Sequence, residues 1–270
     1  MSKLEEALEK AKYLRESGQV DNAGKADVAK KIFPVQEAGP IKVNNKSLVT
    51  ITQPHSPVAE EYRRLKSMLL QETTADFLNT IMITSAIDSE GKSVTAINLA
   101  VTLAQEIDHT ILLIDADLRK PMIHEYLGIE YKYGLSDYLT GDIDISEVMI
   151  KTGIGKLVLI PAGNRVDNPL ELLSSDKMKA LIKEVKQRYA DRYVIIDTPP
   201  ILSFAEPISI GANVDGIVFV VKEGRAQKRM IEDALNLVKG LNLLGIVFND
   251  VEITNMDGSY SRYYGHEKQS

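Results

Sequence analysis

Short runs of apolar residues, each followed by a longer segment of helical periodicity, dominate the chain from residue 80 onward. Uninterrupted apolar runs are typical of strands covered on both faces, whereas apolar residues spaced three and four apart predict helices. The predicted strands are TIMITS, TILLIDAD, KLVLIPA, RYVIIDTPP, DGIVFVVK and LLGIVFND. The helices predicted between them include 93–105, 178–189 and 227–241. This order predicts an α/β fold with a doubly wound, mostly parallel sheet that binds its ligand at the carboxyl ends of the strands.

The segments that flank this region have a different composition. Residues 1–17 place apolar residues at helical spacing between charges, which predicts a narrow amphipathic helix. Residues 18–48 contain Gly, Asn and Lys but few large apolar residues, so we expect a linker. The folded domain is predicted over 49–251, with a helix that follows Pro57, and residues 252–270 predict a flexible tail.

Composition narrows the class of protein. The 270 residues are 44% hydrophobic, enough for one substantial core, and the net charge of -6 argues against nucleic-acid binding. The chain has no cysteine, which excludes disulfides and thiolate metal sites and fits a reducing cytoplasm. The amino terminus lacks the apolar core of a signal peptide, and no apolar run approaches the roughly 20 residues of a spanning helix. We therefore expect a cytoplasmic protein with no direct membrane span.

The first predicted strand of the alternating region ends in a phosphate-binding motif. The sequence SAIDSEGKSVTA fits the A/G-x-x-x-x-G-K-S/T pattern of a P-loop, and it stands between a strand and a helix as that loop requires. Backbone N–H groups of a P-loop point at phosphates, its lysine reaches the β- and γ-phosphates, and its serine hydroxyl binds Mg²⁺. We predict nucleotide contacts from these loop residues: Ala86, Asp88, Ser89, Glu90, Gly91, Lys92, Ser93 and Val94.

Three aspartates follow two of the other predicted strands. Asp115 and Asp117 leave the end of TILLIDAD two residues apart, so both can project to the same side of a cleft, and Asp197 closes RYVIID. Mg²⁺ prefers oxygen ligands, and paired carboxylates beside a triphosphate can supply one metal ligand and one base. The sequence predicts a Mg²⁺ site formed by Ser93 and one of the two aspartates Asp115 and Asp117, with Asp197 holding the ion through water.

Together these motifs resemble the bacterial tyrosine kinases of exopolysaccharide assembly. The GKS loop, IDADLRKP and IIDTPP look like the Walker A, A′ and B motifs of that family, and the likeness continues through NPLELLSS and GIVFND, over roughly residues 55 to 250. Relatives of the MinD and ParA type carry a lysine near the start of the P-loop, where this chain has Ile87. The resemblance implies the kinase branch of the MinD/ParA-related P-loop NTPases, with ATP or ADP and Mg²⁺ as cofactors.

The same resemblance implies transfer of the ATP γ-phosphoryl group to tyrosine hydroxyls, largely in trans. Lys92 and Mg²⁺ would offset the phosphate charge, with Asp115 as the base and Asp117 on the metal, although the opposite assignment of the two aspartates stays open. Asn249 matches a position that contacts adenine in related folds, and Arg119 is expected to hold the A′ loop or the phosphates. The implied phosphoacceptors stand in the tail: Tyr260, Tyr263 and Tyr264.

The resemblance also implies assembly. The segment SPVAEEYRRLKSMLL is similar to the family's E-x-x-R-x-x-R helix of ring-like self-assembly, with Glu60 and Arg63 in place and Lys66 at the second arginine. Lysine cannot form a bidentate fork, so we expect a weaker contact there. The amino-terminal helix and linker resemble the exosortase-associated subgroup, whose kinase is a separate chain from its membrane-bound, Wzz-like chain-length-determinant adaptor. A homo-oligomer that reaches the inner membrane through this adaptor and regulates exopolysaccharide polymerisation and export is therefore expected.

Two other functions remain open at this point. One is a MinD/ParA-like ATPase switch, and the other is a non-enzymatic, nucleotide-responsive scaffold of a polysaccharide export complex. One departure from the family bears on nucleotide binding and hence on the strength of the enzyme, because Asp88 and Ser89 stand where the family often has Pro-Gly. An inward Asp88 would weaken nucleotide affinity, whereas an outward Asp88 would only cap a turn.

Overall fold

The computed structural model describes residues 36–251, with gaps at 40, 44, 107–108 and 188–191. The predicted helix at 1–17, most of the predicted linker and the tail at 252–270 lie outside the described residues.

A mostly parallel sheet of eight strands forms the centre of the described part. Its strands are β1 (Gln36–Glu37), β2 (Thr80–Ser85), β3 (Thr110–Asp115), β4 (Ile150–Lys151), β5 (Leu157–Ile160), β6 (Arg192–Asp197), β7 (Gly216–Lys222) and β8 (Leu243–Asn249). Their spatial order is β1-β4-β5-β3-β6-β2-β7-β8, and every neighbouring pair is parallel except β4 with β5. The six predicted strands and the predicted α/β architecture are confirmed.

Helices lie between the strands. They are α1 (Val49–Thr52), α2 (Pro57–Thr73), α3 (Lys92–Ala104), α4 (Ile123–Leu127), α5 (Leu135–Thr140), α6 (Ile145–Val148), α7 (Pro169–Leu173), α8 (Asp176–Gln187), α9 (Glu206–Gly211) and α10 (Lys228–Leu237). The start of α2 is fixed locally, because the Ser56 hydroxyl accepts a hydrogen bond from the N–H of Ala59 and Pro57 occupies the first turn. No helix in the described ranges is both long and apolar enough to cross a membrane.

Two apolar clusters form the core, one on each face of the sheet. α3 contributes Leu99 to one cluster, and α8 contributes Leu181 to the other. Consecutive residues of one strand enter different clusters, as Met82 and Ile83 of β2 do. Burial on both faces explains the unbroken apolar runs, because neither side of a central strand meets water.

The sheet brings the candidate site residues together at the carboxyl ends of its central strands. β3, β6 and β2 are neighbours in that order, and β2 leads into the P-loop. Asp115 and Asp197 are the last residues of β3 and β6. The predicted chemical groups therefore meet at the carboxyl ends of adjacent parallel strands, as the fold class requires.

The last strand differs from the prediction of burial on both faces. β8 is at the end of the strand order, and Ile246 and Phe248 are 51% and 57% exposed. An apolar run has the same appearance in a central strand and in an edge strand, so the sequence pattern could not distinguish them.

The described part of the predicted linker also differs from the prediction. Gln36 and Glu37 pair in parallel with β4, and Leu48 is fully buried in the same cluster as Leu99. A strand of two residues is too short to produce a periodic pattern. The portion of 18–48 that the structure describes thus contacts the folded domain.

Candidate active site

The P-loop ends at a glycine that fits a narrow space. Gly91 has φ 91°, in the left-handed region, and a Cβ there would lie 2.1 Å from Nδ2 of Asn249. That same Nδ2 donates a hydrogen bond to the backbone carbonyl of Glu90 at 2.9 Å. Gly91 therefore permits both the turn and the contact that ties the loop to the end of β8.

Glu90 braces the loop from within. Its buried carboxylate accepts a hydrogen bond from the N–H of Ile87 at 2.9 Å. The Ser85 hydroxyl donates a hydrogen bond to the carbonyl of Ile87 at 2.8 Å. Both backbone polar groups of Ile87 are therefore bonded, which fixes the start of the P-loop. The sequence predicted Glu90 as a nucleotide contact, and the structure uses its side chain to hold the loop in shape.

Asp88 and Ser89 form the exposed tip of the loop. Asp88 is solvent-exposed, and its backbone carbonyl accepts a hydrogen bond from Nε of Arg225 at 3.4 Å. This is the outward one of the two orientations considered from sequence. Ser89 has φ 67°, a left-handed conformation that side-chain-bearing residues rarely adopt. Serine at this position therefore places local strain in the loop.

Lys92 and Asp117 form a buried ion pair between the P-loop and the A′ motif. Nζ of Lys92 lies 2.7 Å from Oδ2 of Asp117, and their side chains are 10% and 2% exposed. Burial alone would lower the pKa of Lys92, but the carboxylates of Asp197 and Asp117 raise it well above its ordinary value. The other oxygen of Asp117 accepts a hydrogen bond from the N–H of Lys120 at 3.0 Å. Lys92 is thus an ammonium ion already surrounded by negative charge.

Asp115 and Asp197 end two adjacent strands opposite each other. They are partners in the parallel register of β3 and β6, and both are fully buried. Oδ1 and Oδ2 of Asp115 accept hydrogen bonds from the N–H groups of Asp117 and Ile123, at 3.3 and 3.2 Å. Burial, and then the charges of Asp197 and Asp117, raise the pKa of Asp115 well above its usual range. Burial also raises the pKa of Asp197 to about 6, although Lys92 opposes that shift.

The surroundings of Asp197 fit a cation. Neither of its buried carboxylate oxygens has a hydrogen-bond partner among the residues that the structure describes. Such a group is unfavourable until a donor or a cation satisfies it. Ser93 lies near enough to favour the charged form of Asp197. No three His, Cys, Asp or Glu side chains in the described part form a complete metal cage. Mg²⁺ bound to a nucleotide takes further ligands from phosphate and water, so the unpartnered oxygens of Asp197 fit that ion, and the ligand set of Ser93, Asp117 and Asp197 stays a prediction.

Arg119 is paired with a residue that the sequence analysis missed. Its Nε and Nη2 lie 2.8 and 2.7 Å from Oε1 of Glu206, at the start of α9. Of the two roles predicted for Arg119, this contact agrees with holding the A′ loop. A glutamate in the first turn of a helix is common because it suits the helix dipole, so Glu206 gave no signal of its own.

Glu60, Arg63 and Lys66 lie on α2 and have partners in the same chain. Nη1 of Arg63 lies 2.5 Å from Oε2 of Glu60, and Lys66 pairs with Glu106 near the end of α3. A role of these three residues in oligomerisation stays a prediction.

This site and fold have relatives among known proteins. A family model described as an AAA domain matches residues 79–241. Tyrosine-protein kinase YwqD of Bacillus subtilis (strain 168) is 35% identical over 223 residues, which cover 82% of this chain and 92% of YwqD. The kinase domain of the Escherichia coli tyrosine kinase ETK has a TM-score of 0.70 at 29% identity, over 76% of this chain and 82% of that domain.

A more distant structure shares only the fold. The septum site-determining protein MinD of Pyrococcus horikoshii OT3, complexed with Mg-ADP, has a TM-score of 0.54 at 23% identity, over 63% of this chain and 69% of MinD. The relation to MinD confirms the predicted P-loop NTPase fold, and the higher similarity to YwqD and ETK confirms the resemblance drawn from the Walker motifs. The chain belongs to the bacterial tyrosine-protein kinases.

Proposed function

We propose that this chain is an ATP-dependent protein-tyrosine autokinase that phosphorylates the tails of neighbouring subunits at Tyr260, Tyr263 and Tyr264. The ion pair between Lys92 and Asp117 carries this proposal, because it joins the P-loop to the A′ motif that marks the kinase family. Lys92 must release Asp117 in order to reach the β- and γ-phosphates. Nucleotide binding therefore frees a carboxylate oxygen at the place where the phosphoryl group is transferred.

The reaction is an in-line displacement at phosphorus. The phenolic oxygen of the acceptor tyrosine attacks the γ-phosphorus of ATP, its proton passes to a carboxylate, and the bond to the β–γ bridging oxygen breaks so that ADP leaves. Ser93 and Asp117 would hold Mg²⁺ directly and Asp197 would hold it through water, and the ion would offset part of the phosphate charge. Lys92 offsets the rest of that charge while it orients the γ-phosphate.

Asp115 is the base in this proposal. A tyrosine with a pKa of about 10 is a poor nucleophile, and a carboxylate with a raised pKa accepts its proton more readily. Asp115 has such a raised pKa, whereas Asp117 is the aspartate that pairs with Lys92. We expect Asp115→Asn to lower kcat by about 10² to 10⁴ with an unchanged Mg²⁺ requirement. Asp117→Asn should raise the Mg²⁺ concentration needed for half-maximal rate, and the reverse result would exchange the two roles.

The proposed setting is the inner membrane, where a Wzz-like chain-length-determinant adaptor would recruit the kinase to regulate exopolysaccharide polymerisation and export. Each phosphorylation adds nearly two negative charges to a tail that already contains Asp257 and Glu267. Repulsion between tails would loosen a homo-oligomer formed through α2. Lys66 of α2 pairs with Glu106 in the same chain, so this pair would have to separate before Lys66 contacts a neighbouring subunit. An unchanged oligomer mass after full phosphorylation, measured by light scattering, would contradict this regulation.

The decisive experiment is phosphotyrosine mass spectrometry of the full chain incubated with ATP and Mg²⁺, with and without the cytoplasmic segment of the adaptor. Lys92→Met and a triple Tyr→Phe variant of the tail serve as controls. We expect phosphate on the tail tyrosines that is absent from Lys92→Met. ATP turnover without phosphotyrosine would instead indicate the ATPase switch. Complex assembly and polymer output that persist in Lys92→Met would indicate the scaffold.

A further inference from the structure

An ion pair with one deeply buried partner joins the A′ loop to the start of α9, directly after the loop that follows β6. Oε1 of Glu206 contacts both Nε and Nη2 of Arg119, and the side chains of Glu206 and Arg119 are 1% and 38% exposed. The guanidinium carbon of Arg119 also lies 4.4 Å from the centre of the Phe204 ring. A charge-assisted contact and an aromatic contact therefore fix the orientation of the same guanidinium group.

The two loops that meet at this pair carry acidic groups of the active site. Arg119 follows Asp117 by two residues. The N–H of Lys120 donates a hydrogen bond to Oδ1 of Asp117 and so closes the turn that contains Arg119. On the other side, the loop after Asp197 is bound to the P-loop, because the N–H of Leu202 donates to the carbonyl of Ala86 at 3.2 Å. α9 and Glu206 come directly after that loop. The pair thus links the A′ loop to a segment that is already anchored beside the nucleotide site.

We propose that Glu206 is a positioning residue for phosphoryl transfer, which acts through Arg119 to keep Asp117 in place relative to the P-loop and Asp197. This inference rests on the proposed kinase activity. A buried carboxylate is strongly unfavourable without its cation, so the ion pair is retained. The retained pair keeps the A′ loop in one conformation. Phosphoryl transfer depends mainly on positioning and charge, and a displacement of about 1 Å can lower its rate about 100-fold. Glu206 thereby influences the reaction without contacting the substrates.

The test uses Glu206→Gln, Arg119→Gln and the double variant in the full chain. Asp215→Asn is the matched control, because Asp215 also pairs with a basic side chain, Lys186, but lies at the amino-terminal end of β7. Hydrogen exchange in peptides that cover 117–123 reports directly on the A′ loop. We expect exchange there to become about tenfold faster than in wild type in both single variants, and the double variant to exchange no faster than the single variants. The control should lower thermal stability without this local change. If Glu206→Gln does not fold, Arg119→Gln carries the same test from the partly exposed side of the pair.

Kinetics provide the second measurement. We expect Glu206→Gln and Arg119→Gln each to lower kcat for tyrosine phosphorylation about 10- to 100-fold, with KM for ATP changed by less than about twofold. The double variant should resemble the single variants, since both changes break one contact. Unchanged exchange at 117–123, an unchanged kcat, or losses that multiply in the double variant would overturn the proposal. A wild-type chain that forms no phosphotyrosine would refute the kinase activity instead, while the exchange measurement would still decide whether Glu206 holds the A′ loop.

Discussion

Asp115 and Asp197 are register partners at the carboxyl ends of the adjacent strands β3 and β6, where each is the last residue of its strand and both are fully buried. Neighbouring strands lie about 4.8 Å apart, so two negative charges at these positions repel each other in a region with little water. Lys92 offsets part of this repulsion. These side chains are therefore electrostatically unfavourable for the folded protein by themselves, and a bound cation would relieve their repulsion.

The first prediction concerns the pH dependence of stability without metal. The folded-state pKa of Asp197, about 6, is above its usual 3.8, so the native chain holds this proton more tightly than the unfolded chain does. The stabilisation from this group is full below its unfolded pKa and is lost as pH rises through about 6. Asp197→Asn removes this loss, which is at most about 3 kcal/mol. The measurement is urea unfolding of both proteins in EDTA at pH 4.5 and 7.5.

Wild type should lose stability relative to Asp197→Asn between the two pH values. Asp215→Asn provides a control of opposite sign. Burial acts to raise the pKa of Asp215, but hydrogen bonds from Lys186 and Thr80 outweigh it and the net shift is downward. Stability from Asp215 is therefore present above its unfolded pKa and lost in acid, so Asp215→Asn should be most destabilising at pH 7.5. Equal pH dependence of wild type and Asp197→Asn would contradict the raised pKa of Asp197.

The second prediction concerns Lys92 as a structural group. Lys92→Met removes the cation beside Asp117, Asp115 and Asp197, all of which are buried. Loss of one partner from a buried ion pair typically destabilises a protein by about 3 kcal/mol or more. We therefore expect Lys92→Met to lower the free energy of unfolding by about this amount at pH 7.5. Lys92→Met/Asp117→Asn should recover part of it because one uncompensated charge is gone. A double variant no more stable than Lys92→Met would refute the charge argument.

The sequence predicted the parts of this molecule that depend on local pattern. The six strands follow from apolar runs, and the P-loop and the three aspartates follow from motifs that occupy strand ends. Each of these signals lies within a few residues of the feature that it predicts. Strand order at the edges is not local, which is why the exposure of Phe248 on β8 and the pairing of Gln36 with β4 went unpredicted.

The contacts that hold the site in shape join distant positions. Arg119 and Glu206 are 87 residues apart, and Asn249 and Glu90 are 159 residues apart. A single sequence gives no indication that two such residues meet. The structure adds bracing contacts for the side chains of Glu90 and Arg119, while their nucleotide contacts stay predictions.

The third prediction concerns the strained tip of the P-loop. Ser89 has φ 67°, and glycine adopts this conformation without the steric penalty of a Cβ. We expect Ser89→Gly to stabilise the protein by up to about 1 kcal/mol, the lost strain being partly offset by greater flexibility of the unfolded chain. Affinity for ADP should stay equal or rise. Ser89→Ala keeps the Cβ and should show no gain in urea unfolding. A gain of equal size in Ser89→Ala would show that the Cβ is not the source of strain.

The fourth prediction separates two roles of Asn249. The family resemblance implies an adenine contact, whereas Nδ2 of Asn249 donates to the carbonyl of Glu90 and so braces the P-loop. A loop brace supports the phosphates of every nucleotide equally, but an adenine contact discriminates among bases. We expect Asn249→Ala to weaken ADP and GDP binding by the same factor, about fivefold to tenfold, which is the usual worth of one hydrogen bond. Calorimetric titration with both nucleotides measures the ratio.

Asn242→Ala is the matched control for this experiment. Asn242 immediately precedes β8, and its Nδ2 donates to the backbone carbonyl of Asp215 at 2.7 Å, so it loses a bond of the same kind at the other end of the strand. This variant should lose stability and keep its affinity for ADP. If Asn249→Ala instead lowers affinity for ADP alone and leaves GDP binding unchanged, the amide reads the adenine base and the brace at Glu90 contributes little to nucleotide binding.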